Sequence, residues 1–174
     1  FYGAADARWP LLLVFSTMLD FHVARALGRF PARRRALIGA SVLGNLGVLA
    51  VFKYFDFFSV GVADMLGLLG VGADPLLLGV ALPAGISFFT FQTLGYTLDV
   101  AAGRVKARDS LVDYAAYVCF FPQLVAGPIE RADRLLPQLE RHRPWRWSQA
   151  ASGLGLFAWG AAQKVVIADT AALY

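Results

Sequence analysis

From Pro75 to Leu98 the chain runs for 24 residues without a charged side chain. About 20 apolar residues in a helix cross the hydrocarbon core of a bilayer, so this stretch predicts a membrane span. Ala36 to Phe52 and Trp147 to Gln163 are uncharged over 17 residues each, and the latter resumes after Lys164 with Val165, Val166 and Ile167. Trp9 to Leu19 is shorter, but apolar character continues past Asp20 through Phe21, Val23 and Ala24. Asp113 and Glu130 bracket a further uncharged segment, interrupted by Pro122. None of these alternates polar and apolar with period two, so the expectation is helices and not a β-barrel.

Composition excludes the ordinary alternatives. With 58% hydrophobic and 16% charged residues and a mean hydropathy of +0.58, 174 residues have too little interior to hide their apolar surface from water. A disordered chain is excluded for the same reason. The expected fold class is all-α, a polytopic transmembrane protein. The chain starts at Phe1 and stops inside an apolar run at Thr170 to Tyr174, which predicts one partial domain over 1–174, cut at both ends.

The basic residues set the orientation. Arg25, Arg29, Arg33, Arg34 and Arg35 fall within eleven residues without an acid, which marks a cytoplasmic loop. The connection from Lys53 to Asp74 holds one lysine against Asp56, Asp64 and Asp74, as an outside loop should. Arg104, Lys106 and Arg108 return the chain to the cytoplasm, and so do Arg131, Arg134, Arg141, Arg143 and Arg146. With both flanks inside, Leu111 to Pro128 reads as a re-entrant or protein-buried segment broken by proline. The net charge of +4 then reports membrane orientation, with no role for nucleic acid. Cys119, the one cysteine, is expected to pack.

No metal constellation, phosphate loop or nucleophile elbow is present. His22 reads as an interfacial histidine beside a basic loop, and His142 as part of a charged cytoplasmic stretch. Trp145 and Trp147 flank Arg146 as an interfacial anchor for the last span. Gly85, Phe88, Gln92, Tyr96 and Asp99 recur at three- and four-residue steps and so share a helical face, flanked by Ser87, Thr90, Thr93 and Thr97. An amide or carboxyl facing lipid is costly, so this stripe either bonds other helices or lines a cavity. Ala40, Gly44 and Gly47, and later Gly153, Gly155 and Gly160, are expected to let helices approach closely.

Two long runs carry a resemblance. Leu82-Pro83-Ala84-Gly85-Ile86-Ser87-Phe88-Phe89-Thr90-Phe91-Gln92 is followed by Phe120-Phe121-Pro122-Gln123-Leu124-Val125-Ala126-Gly127-Pro128-Ile129-Glu130-Arg131. With Gly95 to Val100 between them and Lys164 to Thr170 behind, the chain resembles the membrane-bound O-acyltransferases, on the bacterial alginate O-acetylation branch. The resemblance covers essentially the whole chain, more loosely over Phe1 to Phe58. It departs where Ala101 and Ala102 replace an aromatic and a basic residue, with Arg104 in place to supply the charge, and where Gln163 replaces a lysine.

The resemblance implies an enzyme that moves an acyl group, acetyl above all, from a cytoplasmic donor to hydroxyls of an exported polysaccharide such as alginate. Acetyl-CoA or another activated acyl group would be the donor. Membrane lipid and the polysaccharide or a periplasmic acetyltransferase would be the partners, and no covalent cofactor or metal is implied. The location would be the bacterial inner membrane, crossed several times. The family's catalytic histidine follows an aromatic-basic run, and neither His22 nor His142 stands in that context. No catalytic residue is therefore assigned in this chain, which alone would be inactive. Gln92, Tyr96, Asp99, Gln123 and Pro128 are the expected lining of the acyl path. The alternative is a non-enzymatic scaffold or lipid-handling subunit built on the same fold.

Overall fold

A computed structural model describes residues 9–72, 74–79, 83, 85–124, 127–141 and 144–172. His142 lies outside them. Helix α1 runs from Trp9 to Arg29. Pro10 is tolerated in its first turn, where backbone N–H groups lack intrahelical partners anyway. It stops before Phe30, which precedes Pro31 and leaves the helical region at φ −129° and ψ 68°, as the clash with the proline ring disfavours α geometry there. A 3₁₀ turn at Pro31–Arg33 leads into α2, Arg34–Leu49.

The chain does not loop out after Phe52. A π-helical turn, Ala50–Tyr54, carries it into α3, Phe55–Leu68, so that Pro31–Leu68 is one 38-residue helical run. The outside loop expected over Lys53 to Asp74 is thus helical to Leu68. The charges that suggested a loop have partners: Lys53 Nζ donates to Ser87 Oγ at 3.0 Å, and Asp56 Oδ1 accepts from the Leu78 N–H at 2.8 Å.

The longest uncharged stretch also departs from expectation. Among its described residues the helix begins at Ile86 and runs to Ala101, forming α4, while Pro75 to Gly79 is irregular. Pro75 and Pro83 cannot donate in a helix, and Gly85 caps α4 at φ 71°, a left-handed conformation that favours glycine. Beyond α4, Ser110 Oγ caps α5 (Leu111–Val118) by accepting from the Asp113 N–H at 3.2 Å. The short α6 (Phe121–Leu124) and then α7 (Ala132–Glu140) follow. The uncharged segment between Asp113 and Glu130 is broken as expected.

The chain divides into two units, Phe1–Glu140 and Arg141–Tyr174. In the first, α1, α2 and α4 pack on one another, and α5 packs on α7 and α1. A buried polar network joins the three long helices. The Asp20 carboxylate accepts from Ser41 Oγ, from Asn45 Nδ2 at 2.7 Å and from Thr97 Oγ1 at 2.8 Å. Thr93 Oγ1 lies 3.3 Å from Asn45 Oδ1. Every one of these side chains is buried. Such groups are costly in an apolar interior unless paired, and here each completes another. At Gly44 the side chain of Leu19 on α1 lies close, so that a Cβ would run into Leu19 Cδ2, whereas Gly47 has open space around it.

The second unit is a helical run from α8, Trp147–Ala162, through a π-helical turn at Gln163–Ala168 to α9, Asp169–Ala171. It is 25 residues long and apolar enough to cross a membrane, as are Trp9–Arg29 and Pro31–Leu68. Lys164 pairs with Asp169 across the π turn, so the lysine does not end the span. Trp145 and Trp147 meet edge to face at 5.4 Å. Within this unit a Cβ at Gly153, Gly155 or Gly160 would meet nothing within 4 Å.

Candidate functional site

The stripe on α4 is drawn inward. Gln92 is 2% exposed, and its Nε2 donates to the Tyr117 carbonyl at 2.9 Å. This ties α4 to the last turn of α5, a few residues short of the 120–130 segment. Tyr96 is also buried, and its hydroxyl accepts from the Arg108 N–H at 2.8 Å, which fixes the connection between α4 and α5. Asp99, one turn further, takes Arg104 Nε at 2.7 Å and Nη2 at 2.6 Å on one oxygen, with Arg131 Nη2 3.7 Å away. The Tyr117 hydroxyl donates to the Glu130 carbonyl at 3.2 Å. These bonds stitch α4, α5 and the entry to α7 around a cavity of about 300 Å³.

Gln92, Tyr96 and Asp99 all line that cavity, together with Gly95, Tyr117 and Ile129. Three of the five expected residues are therefore brought together. The other two are not. Gln123 is buried on α6 itself, with neither amide atom paired among the described residues, and Pro128 is exposed beside Ile129. Gly127 holds this turn: a Cβ there would meet the Pro122 carbonyl oxygen at 2.7 Å and Gln123 Cα at 2.8 Å. The proline break therefore folds back on itself closely enough to require glycine.

Sequence reasoning singled out Tyr96 but did not anticipate the two tyrosines of α5. Tyr96, Tyr114 and Tyr117 cluster with ring centroids 4.5 to 6.4 Å apart, and Phe21 stacks on Tyr114 at 5.9 Å. Tyr114 is fully buried, and its hydroxyl has no partner among the described residues. The signal was present as Tyr114 and Tyr117 three residues apart on a short apolar helix. Cys119, expected to pack, is exposed at the end of α5.

Chemically the cavity offers an amide, two phenols, the Asp99 carboxylate countered by two guanidinium groups, and a second acid, Glu130, at its rim. Such a wall binds and orients. His22 is not part of it: it is exposed on α1 with its ring beside Phe21. Among the described residues no three His, Cys, Asp or Glu side chains converge on a metal position.

Known proteins match the chain along almost all of it. It is 36% identical over 174 residues to the probable alginate O-acetylase AlgI of Pseudomonas aeruginosa, covering 99% of this chain and 33% of that protein. The counterpart from Azotobacter vinelandii is 33% identical over 158 residues, 90% of this chain and 32% of its own. The peptidoglycan O-acetyltransferase of Helicobacter pylori is 30% identical over 200 residues, 99% of this chain and 37% of its own. The chain thus spans about a third of the length of these relatives. No family model and no solved structure matches it.

Proposed function

Because the chain belongs to the membrane-bound O-acyltransferase family, on the alginate O-acetylation branch, we propose that it builds one wall of an acyl path in a bacterial inner-membrane O-acetyltransferase. The acceptor is a hydroxyl of an exported polysaccharide, the class to which both relatives' names refer. The donor is acetyl-CoA or another activated acyl group arriving from the cytoplasm, and a periplasmic acetyltransferase or the polymer itself receives the acyl group. One observation carries the reading: the cavity between α4 and the Pro-broken segment, lined by Gln92, Tyr96 and Asp99.

In this reading the wall excludes water and orients the acyl group, which suppresses hydrolysis during transfer. The general base that takes the proton from the acceptor hydroxyl is supplied outside these 174 residues, so the chain alone transfers no acetyl group. Gln123 and Pro128 act by holding the shape of the broken segment.

Gly95 provides the test. It lines the cavity, and a Cβ there meets nothing within 4 Å, so a larger side chain enters open space without disturbing the packing. In the intact protein, Gly95→Leu should leave membrane yield unchanged and lower polysaccharide acetylation at least tenfold. Wild-type acetylation by a well-folded Gly95→Leu protein would show that no acyl group passes here and would favour the scaffold alternative.

A further inference from the structure

A second cavity, of about 410 Å³, opens where the C-terminal ends of α1 and α4 meet and shares no lining residue with the first. Arg25, Arg29, Arg34 and Lys106 face it, against the single carboxylate of Asp109. Four cations and one acid leave an excess of three positive charges. Two of the cations are engaged. The Arg34 guanidinium donates to the Ala101 carbonyl at 2.8 Å, capping α4, and Arg25 lies over the Phe21 ring with Asp109 only at 4.0 Å. Arg29 and Lys106 have no ion pair or side-chain hydrogen bond among the described residues. Helix C-termini attract cations, which accounts for one arginine at each end but not for two further cations turned into a shared hollow.

Depth and wall chemistry narrow the ligand. Helix α1 is 21 residues, about 30 Å long, which matches the hydrocarbon thickness of a bilayer. Its exposed apolar side chains, Leu11, Val14, Phe15 and Met18, lie in the N-terminal half, while Arg25 and Arg29 occupy the last two turns. The cavity therefore sits at the level of lipid headgroups. Its remaining walls include Leu27, Pro31, Val100 and Val105. Cations beside an apolar wall suit an amphiphile better than a free polyanion.

We propose that this cavity binds the headgroup phosphate of an anionic membrane lipid, with Arg29 and Lys106 as its principal contacts and Arg25 completing the cradle. Basic hollows at the ends of membrane helices hold anionic headgroups through charge and guanidinium hydrogen bonds. The site stands independently of the acyl path.

The test uses the intact protein in nanodiscs of phosphatidylcholine containing one-fifth phosphatidylglycerol, followed by detergent exchange and native mass spectrometry of retained lipid. The wild type should retain phosphatidylglycerol and not phosphatidylcholine. Each removed cation weakens such binding about fivefold, so Arg29→Gln combined with Lys106→Gln should lower retention tenfold or more. Arg33→Gln, exposed and outside the cavity, should not. Arg29→Lys with Lys106→Arg should keep the lipid, and if the double glutamine variant fails to fold, each single variant should show its own fivefold loss. Undiminished retention in the folded glutamine variants would overturn the proposal. So would equal loss in Arg33→Gln, equal retention of phosphatidylcholine, or displacement of the lipid by millimolar glycerol 3-phosphate, which would make the ligand a soluble phosphate.

Discussion

The Thr97 hydroxyl donates to the Asp20 carboxylate at 2.8 Å, joining α4 to α1 across 77 positions of sequence. The same carboxylate takes Ser41 and Asn45 from α2. One acidic side chain therefore fixes the mutual rotation of three helices, and the face of α4 beside Thr93 and Thr97 is the one left to line the cavity with Gln92, Tyr96 and Asp99.

Loss of Asp20 should be a folding defect. Asp20→Ala takes the acceptor from three buried groups: Ser41 and Thr97 lose the carboxylate, at about 1 kcal/mol or more each when unpaired, and Asn45 Nδ2 keeps only the Ser41 carbonyl at 3.0 Å. Thr97→Val removes one bond of a kind that averages about 0.6 kcal/mol in membranes. Thermal denaturation in detergent, followed by fluorescence-detected size exclusion, should show a large drop in Tm for the first and a small one for the second. Equal midpoints would mean that the network is not what holds α1 to α2 and α4.

Two glycines should respond oppositely to the same change. At Gly44 the obstructing atom is the end of the flexible Leu19 side chain, and alanine improves helix propensity by about 1 kcal/mol over glycine. Gly44→Ala should therefore be nearly neutral. At Gly127 the obstruction is backbone, the Pro122 oxygen and Gln123 Cα. Gly127→Ala should depress folded yield or acetylation severalfold, as read by membrane yield and polymer acetyl content. A neutral Gly127→Ala would mean that the turn is looser than its geometry requires.

Gln92→Leu removes the donor to the Tyr117 carbonyl while keeping the volume of the side chain. Because a single interhelical bond is weak in a membrane, yield should fall by less than half, whereas acetylation should fall severalfold through the loss of a polar lining group. Acetylation that merely tracks yield would reduce Gln92 to a structural role.

The basic segments make a topological prediction. In a Cys119→Ala background, needed because Cys119 is exposed, Arg33→Cys and Arg134→Cys should both react with a membrane-impermeant thiol reagent only from the cytoplasmic side. Labelling of either from the periplasm would remove the re-entrant assignment of the segment between them.

How far the sequence reads depends on what is local. The spans at Trp9–Arg29 and Trp147–Ala171 are legible because apolar length suffices to define them. The run from Lys53 to Leu68 was mistaken for a loop because charge suggested exposure. Lys53 and Asp56 in fact find Ser87 and the Leu78 backbone, partners more than twenty residues away. Apolarity also concealed the break before Ile86, since hydropathy does not register the prolines and left-handed glycine that end a helix. At the site, the three-and-four spacing of Gln92, Tyr96 and Asp99 was enough to place them together. The tyrosines of α5 and the Asp20 network needed the tertiary packing. For Asp20 a hint was available: an acid within a span, with Ser41 and Asn45, and Thr93 and Thr97, each paired at four-residue spacing.

The π-helical turn at Ala50–Tyr54 acts as a shim. A π turn is an α-helix with one residue inserted, so everything after it is turned by about 100° relative to an uninterrupted helix. That single surplus residue sets the compass bearing of α3, and with it the side to which Asp56 reaches for Leu78. Deleting one residue from the turn would leave the helix unbroken and its hydropathy almost unaltered, yet would swing the whole far end away from its anchor. The length of this helix is written in apolar residues, while its aim is written in one extra.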